Sequence, residues 1–291
     1  MKFEQLLKSK KVLLIDGGMG TELAVRGCEM GGISNLTHPD SVREIHREYS
    51  TAGADIIITN TFTMNRISIE AHDSLIDVQM VNRAGVKIAR EAVGKDKLVF
   101  GDLGPTGQLL EPYGNFTEEQ FIKNYAEQAE IFDEEEVDGL IIETMSDLRE
   151  AVCALKACKK VSSLPVIVSL AFSTIDKGGR TIMGSSVTEA AKAAEQYGAA
   201  AVGANCGDID PAGMAEIVKR YRESTKLPII VQPNAGRPKL INGKTMFDMS
   251  PDYYAAGVVQ SVLNGASLVG GCCGTTPAHI GALSKSIEKL M

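Results

Sequence analysis

Short apolar runs, each closed by a polar residue or a glycine, recur along the chain at a near-constant interval. They span Val12–Asp16, Ala54–Asn60, Leu98–Asp102 and Gly139–Thr144, then Pro165–Leu170, Ala201–Cys206, Pro228–Gln232 and Ser267–Cys272. Hydrophobicity within each run is continuous rather than alternating, as a strand covered on both faces of its sheet requires. Between the runs, helical patterns cover Ser41–Ala52, Asp77–Val93, Thr117–Glu136, Asp147–Lys160, Ser186–Tyr197, Pro211–Ser224, Pro251–Asn264 and Pro277–Leu290. Eight such units in 291 residues take about 36 residues each, the size of one right-handed β-loop-α-loop module. The expected fold is therefore α/β, a (β/α)8 TIM barrel forming a single domain over residues 1–291. A doubly wound open sheet is the competing architecture. Its first loop usually reads Gly-x-Gly-x-x-Gly, whereas here it reads Asp16-Gly-Gly-Met-Gly-Thr21, a spacing that suits a tight turn better than a dinucleotide.

Composition narrows the function classes. Hydrophobic residues are 44% of the chain, enough for a large core. The formal charge of -7 would repel a phosphate backbone, so no nucleic-acid partner is expected. No apolar run nears the roughly 18 residues of a membrane span, and the stretch after Lys8, Lys10 and Lys11 is too short for a signal peptide. A cytoplasmic protein without membrane contact is expected. Six cysteines are too few for a disulfide scaffold, and Cys272 and Cys273 are adjacent, so reduced functional thiols are the better reading.

In such a barrel the C-terminal strand ends face one bowl. Pooled, they are Asp16, Asn60, Thr61, Asp102, Glu143, Cys206, Gln232, Asn234, Cys272 and Cys273. Three thiols from the sixth and eighth runs thus meet on one side. Soft thiolates select zinc, and three protein ligands with an open fourth corner are the pattern of a catalytic rather than a structural site. Gly270, Gly271 and Gly274 are expected to let the backbone turn so that neighbouring thiols reach one ion. The competing reading is three small buried hydrophobes. Cys153 and Cys158 read as packing residues and Cys28 as an exposed loop residue. None of His38, His46, His72 and His279 ends a strand, which disfavours histidine-based hydrolytic zinc chemistry. Glu134–Glu136 reads as a solvated helix end.

The chain resembles the homocysteine S-methyltransferase family over almost its full length. The resemblance is carried by Asp16-Gly-Gly-Met-Gly-Thr21, Thr59-Asn-Thr-Phe62, Gly104-Pro-Thr-Gly107, Glu143-Thr144, Gly179-Arg-Thr181, Gly203-Ala-Asn-Cys206, Pro233-Asn-Ala-Gly236 and Val269-Gly-Gly-Cys-Cys-Gly-Thr-Thr-Pro277. It implies a (β/α)8 barrel, zinc held by Cys206, Cys272 and Cys273, and an amino-acid pocket at Asp16, Gly17 and Glu143. The implied reaction is methylation of homocysteine to methionine, the substrate being activated as a zinc-bound thiolate. An unassisted thiol, with a pKa of about 8.5, would be mostly protonated at neutral pH.

The betaine-using branch carries Tyr just after Thr-Phe, and here Thr63 stands there. The chain is closer to the homocysteine-binding barrel of cobalamin-dependent methionine synthase. That branch implies an amide oxygen in the empty corner, and Asn234 matches; Asn234 stays open between fourth ligand and turn residue. The donor expected is a methylated corrinoid, methylcobalamin carried by a separate protein, or a small S-methyl compound, since the sequence stops at Met291 with neither a folate barrel nor a cobalamin domain. A corrinoid-system methyltransferase acting on another thiol, or running in the demethylating direction, is the alternative. A zinc-storing scaffold is a third reading, disfavoured by the strand-end acids.

Overall fold

The structure is a computed structural model describing residues 3–72, 75–241 and 244–290; Met1, Lys2 and Met291, the ends of the expected domain, lie outside the described residues. In chain order the elements are α1 (Phe3–Ser9), β1 (Leu13–Leu14), α2 (Met19–Val25), α3 (Ser34–Thr37), α4 (Pro39–Thr51), β2 (Ile56–Ile58), α5 (Arg66–Ala71) and α6 (Val78–Val93). There follow β3 (Leu98–Leu103), α7 (Glu118–Glu134), β4 (Gly139–Met145), α8 (Leu148–Val161), β5 (Val166–Leu170), β6 (Phe172–Thr174), β7 (Arg180–Thr181), α9 (Val187–Gln196) and β8 (Ala201–Asn205). The chain ends with α10 (Pro211–Ser224), β9 (Ile229–Gln232), β10 (Lys239–Ile241), β11 (Lys244–Met246), α11 (Pro251–Leu263), β12 (Leu268–Val269) and α12 (Pro277–Glu288).

Eight strands form one parallel sheet in the order β1-β12-β9-β8-β5-β4-β3-β2, and a parallel bridge between Ile15 and Ile56 joins its two ends. The sheet is therefore a closed barrel, and the open-sheet alternative is excluded. All eight expected runs are its strands. The long helices start where their caps dictate: Thr117 and Ser186 form capping boxes with Gln120 and Glu189, while Asp77, Asp147, Asp210 and Ser250 each accept a hydrogen bond from the first turn. Helix α4 begins two residues before the expected Ser41, because Pro39 is preset for a first helical turn. The short pieces α1, α2, α3 and α5 and the hairpins β6–β7 and β10–β11 were not expected. The Asp16–Thr21 segment, read as a turn, runs into α2 from Met19.

Leu13, Ile15, Ile56, Leu98, Phe100, Ile141, Ile167, Ala201, Ile230 and Leu268 fill the barrel interior, and helix α1 adds Phe3 and Leu6 to the same cluster. The Phe3 and Phe100 rings meet edge to face, 5.3 Å between centroids. A Cβ on Gly139, the first residue of β4, would stand 2.4 Å from that Phe100 ring, so the ring lies over the strand starts. Helix α1 thus stoppers the N-terminal end of the barrel. Each such buried Leu, Ile or Phe contributes about 1.5–3 kcal/mol by leaving water. The outer surface of the sheet packs on the helix ring through a second, larger cluster that includes Tyr49, Tyr125, Phe132, Tyr221 and Tyr254.

Candidate metal centre

Side chains alternate along a strand, so the inward parity of the apolar plug carries upward to the mouth. Above Phe100 stands Asp102, above Ile141 Glu143, above Ile167 Ser169, above Ala201 and Gly203 Asn205, and above Ile230 Gln232. The interior thus changes from apolar to polar within one turn of the pleat.

Three acids gather there. Asp16 is buried and accepts a hydrogen bond from the Ile58 N–H at 2.9 Å. Burial raises its pKa well above the ordinary carboxylate range, the Ile58 bond opposes this, and the Glu143 charge adds to it. Asp102, 4% exposed, has an Oδ1 without a hydrogen-bond partner; burial first, then Glu143 and Asp16, raise it strongly. Burial and then the charge of Cys206 push Glu143 up to about 8. A cluster of this kind is uncomfortable without a cation.

Cys206 follows β8, and Cys272 and Cys273 follow β12. Their three Sγ atoms all lie within 4.8 Å of one another. A tetrahedral ion with metal–sulfur bonds of about 2.3 Å would set its sulfurs about 3.8 Å apart, so the trio fits one ion after small adjustments. The thiols already share protons. Hydrogen bonds from Cys272 and Cys273, and further ones from the Gly207 N–H and the Asn234 amide, lower Cys206 to about 3. As donors to Cys206, Cys272 is raised well above the usual thiol value and Cys273 to about 12. Cys206 itself sits at φ +55°, a left-handed conformation that a non-glycine residue adopts at a cost of about 1–3 kcal/mol.

The loops carrying the sulfurs are tied on several sides. The Cys272 N–H donates to Pro233 O at 3.0 Å and the Ala235 N–H to Cys273 O at 2.9 Å. Asn234 accepts from the Cys273 N–H at 3.1 Å and donates to Gly207 O at 3.1 Å, lacing the two cysteine loops together. Thr275 Oγ1 donates to Cys272 O and accepts from the Gly18 N–H, while Tyr254 donates to Gly270 O at 2.6 Å. The glycines work differently from expectation. Of Gly270, Gly271 and Gly274 only Gly274 has positive φ, +77°. Gly271 is needed for closeness, since its Cβ would stand 2.3 Å from Thr275 Oγ1.

The structure brings Asp16, Glu143, Cys206, Cys272, Cys273 and Asn234 to the same end of the barrel. Gly17 lies beside Thr275 and Tyr49, either of which a Cβ would strike at under 3 Å. Asn60 and Thr61 instead clamp neighbouring backbone, Asn60 at Gly31 O and Thr61 at Asp102 O. Cys153 and Cys158 are buried core thiols, pushed up to about 12 by burial. Cys28, expected to be exposed, is half-buried against the core. His46 is a fully buried neutral residue lowered to about 3, and His279 caps α12 through Thr276. Glu134 and Glu135 pair with Arg83. Sequence reasoning gave no role to Asn205, which the inward parity of β8 could have flagged: its amide touches Thr144, Ser169 and Cys272.

Fold and site together define a (β/α)8 barrel enzyme class with a three-thiol, metal-type centre beside a buried acidic pocket. The chain belongs to the homocysteine S-methyltransferase family: the family model described as "Homocysteine S-methyltransferase" matches residues 13–287. It is 32% identical to a methionine synthase of Mycobacterium tuberculosis over 304 aligned positions and 30% identical to one of Mycobacterium leprae over 305, each alignment covering 97% of this chain. The chain spans about a quarter of the length of these curated relatives, 25% in each case. Among solved structures it resembles the metallated form of the homocysteine methyltransferase MmuM from Escherichia coli, with a TM-score of 0.80, 25% identity, and 97% and 98% of the two chains covered.

Proposed function

We propose that this barrel is a zinc-dependent thiol methyltransferase that converts homocysteine to methionine. The observation that carries the reading is the convergence of three Sγ atoms within 4.8 Å of one another at a mouth that also holds the buried Asp16 and the half-buried Glu143. The metallated form of MmuM and the family membership support it. Cys206, Cys272 and Cys273 would hold the ion, and Asn234, whose amide bonds to Cys206 and to both cysteine loops, is the residue placed to serve when substrate is absent. Zinc, when bound, would supply the Lewis acidity that favours the thiolate form of the substrate sulfur.

The chain's own residues do the rest. Asp16 and Glu143 take the ammonium of the amino acid, whose charge favours their ionised forms and makes the contact charge-assisted. Gly17, without a side chain, lets Thr275 and Tyr49 pack closely behind the Asp16 loop. With the amino-acid end fixed, the sulfur end is held toward the three cysteines in one orientation, which is where the entropic part of the acceleration arises. No proton need be stored on a basic side chain. The methyl donor in this proposal is a methylated corrinoid presented by a separate protein, or a small S-methyl compound. The exposed side chains of Met30, Ile182, Met183 and Leu240 on the mouth loops favour the bulkier donor.

Turnover of zinc-loaded protein with homocysteine, comparing methylcobalamin with S-methylmethionine, tests the reading. Methionine from either donor, lost on chelation and regained with zinc, is the expected result. Absence of homocysteine binding by the loaded protein would remove it.

A further inference from the structure

We infer that Asn205 is a positioning residue that joins the ammonium-binding end of the site to its sulfur end; the inference rests on the function proposed above. Asn205 closes β8, is fully buried, and immediately precedes Cys206. Its Oδ1 accepts from the Thr144 N–H at 2.8 Å and from Ser169 Oγ at 2.7 Å, and its Nδ2 donates to Thr144 Oγ1 at 2.6 Å with Cys272 Sγ 3.9 Å away. In the sheet β5 lies between β4 and β8, so these bonds reach over a whole strand.

Their target is the weakest-held part of β4. The β4–β5 register shifts between Ile142 and Met145, so the regular ladder does not fix the intervening Glu143 and Thr144. Thr144 stands at φ +59°, a conformation that a β-branched residue rarely adopts and keeps only when its surroundings impose it. The two bonds from Asn205, one to the Thr144 N–H and one to its hydroxyl, are that imposition. The peptide between Glu143 and Thr144 is held by the same bonds, and with it the direction in which the Glu143 side chain leaves the strand. The sulfurs have their own ties through Gly207, Pro233 and Asn234. Loss of the Asn205 amide should therefore misdirect Glu143 while the ion stays in place.

The test is calorimetric binding to zinc-loaded protein of L-homocysteine and of 4-mercaptobutanoate, which keeps thiol and carboxylate but lacks the ammonium. Asn205→Ala should weaken homocysteine about 10- to 100-fold, the loss of a charged hydrogen bond, and 4-mercaptobutanoate by under about threefold. Adding Thr144→Gly should restore most of the loss, because glycine adopts positive φ without a brace. If the alanine variant does not fold, Asn205→Ser carries the same comparison. Equal weakening of both ligands, or no rescue by Thr144→Gly, would make Asn205 a purely structural residue and overturn the inference. If wild-type protein itself showed no preference for homocysteine, the proposed function would fall first, and the inference with it.

Discussion

Loading the sulfur trio with zinc should expel two protons. Before the ion arrives Cys206 is a thiolate, held at about 3 by its neighbours' hydrogen bonds, whereas Cys273 is pushed up to about 12 and Cys272 well above the ordinary thiol range. The trio then carries one negative charge. A divalent ion with three thiolates also carries one negative charge. Glu143, raised to about 8 by burial and then by Cys206, meets the same net charge in both states and has no reason to change its protonation. The protons leave from Cys272 and Cys273 alone. Because binding releases protons, affinity tightens as pH rises: about two log units, or about 2.7 kcal/mol, per pH unit between about pH 6 and 8. Titrating buffered zinc into metal-free protein, in buffers of different ionisation enthalpy, counts the protons directly. A release near three would mean that Cys206 is protonated in the metal-free site, and a release near zero would mean that the ion sits elsewhere; either refutes the reasoning.

Three further outcomes are expected. Cys206→Ala, Cys272→Ala or Cys273→Ala each abolishes zinc retention, measured by elemental analysis, while far-UV circular dichroism stays that of the wild type, since the ligands stand on loops above an independent core. Asp102 holds its proton more tightly folded than unfolded, so wild-type stability falls as pH rises from the ordinary carboxylate value through the raised one. Asp102→Asn should remove that share of the slope, and urea melts between about pH 4 and 7 that stay parallel in both proteins would refute it. Glu150 accepts from the Thr106 N–H and hydroxyl at 2.7 Å each and from Tyr125 at 2.8 Å, all buried. Glu150→Ala orphans these donors and should cost about 3 kcal/mol of unfolding free energy, a loss under about 1 kcal/mol counting against it.

Much of the molecule was legible because its signals are local. Continuous apolar runs such as Leu98–Asp102 can be strands only in a sheet buried on both faces, and their ends name the mouth. The trio Cys206, Cys272 and Cys273 followed from that placement. What escaped depends on contacts distant in sequence. Helices α2, α3 and α5 are a few residues long, too short to show a period, and α1 is stabilised mainly by the barrel interior that receives Phe3 and Leu6. Gly270 and Gly271 looked like turn-makers because a sequence shows that a side chain is missing but not whether backbone freedom or a neighbour's closeness requires it. The part played by Asn205 needed the slipped register and left-handed backbone at Thr144, neither of which any residue type there announces.

The stopper formed by α1 has a consequence for traffic. With Phe3 and Leu6 sealing the rear, the vessel is a cul-de-sac, and whatever enters first lies deepest. On the function proposed above, homocysteine held by the acids at the floor would lie beneath the methyl donor, so substrate would bind before the donor and product would leave after it. The rear is shut twice over, by the packed strand side chains and by the seven residues of α1 beneath them, which leaves the mouth as the route of exchange.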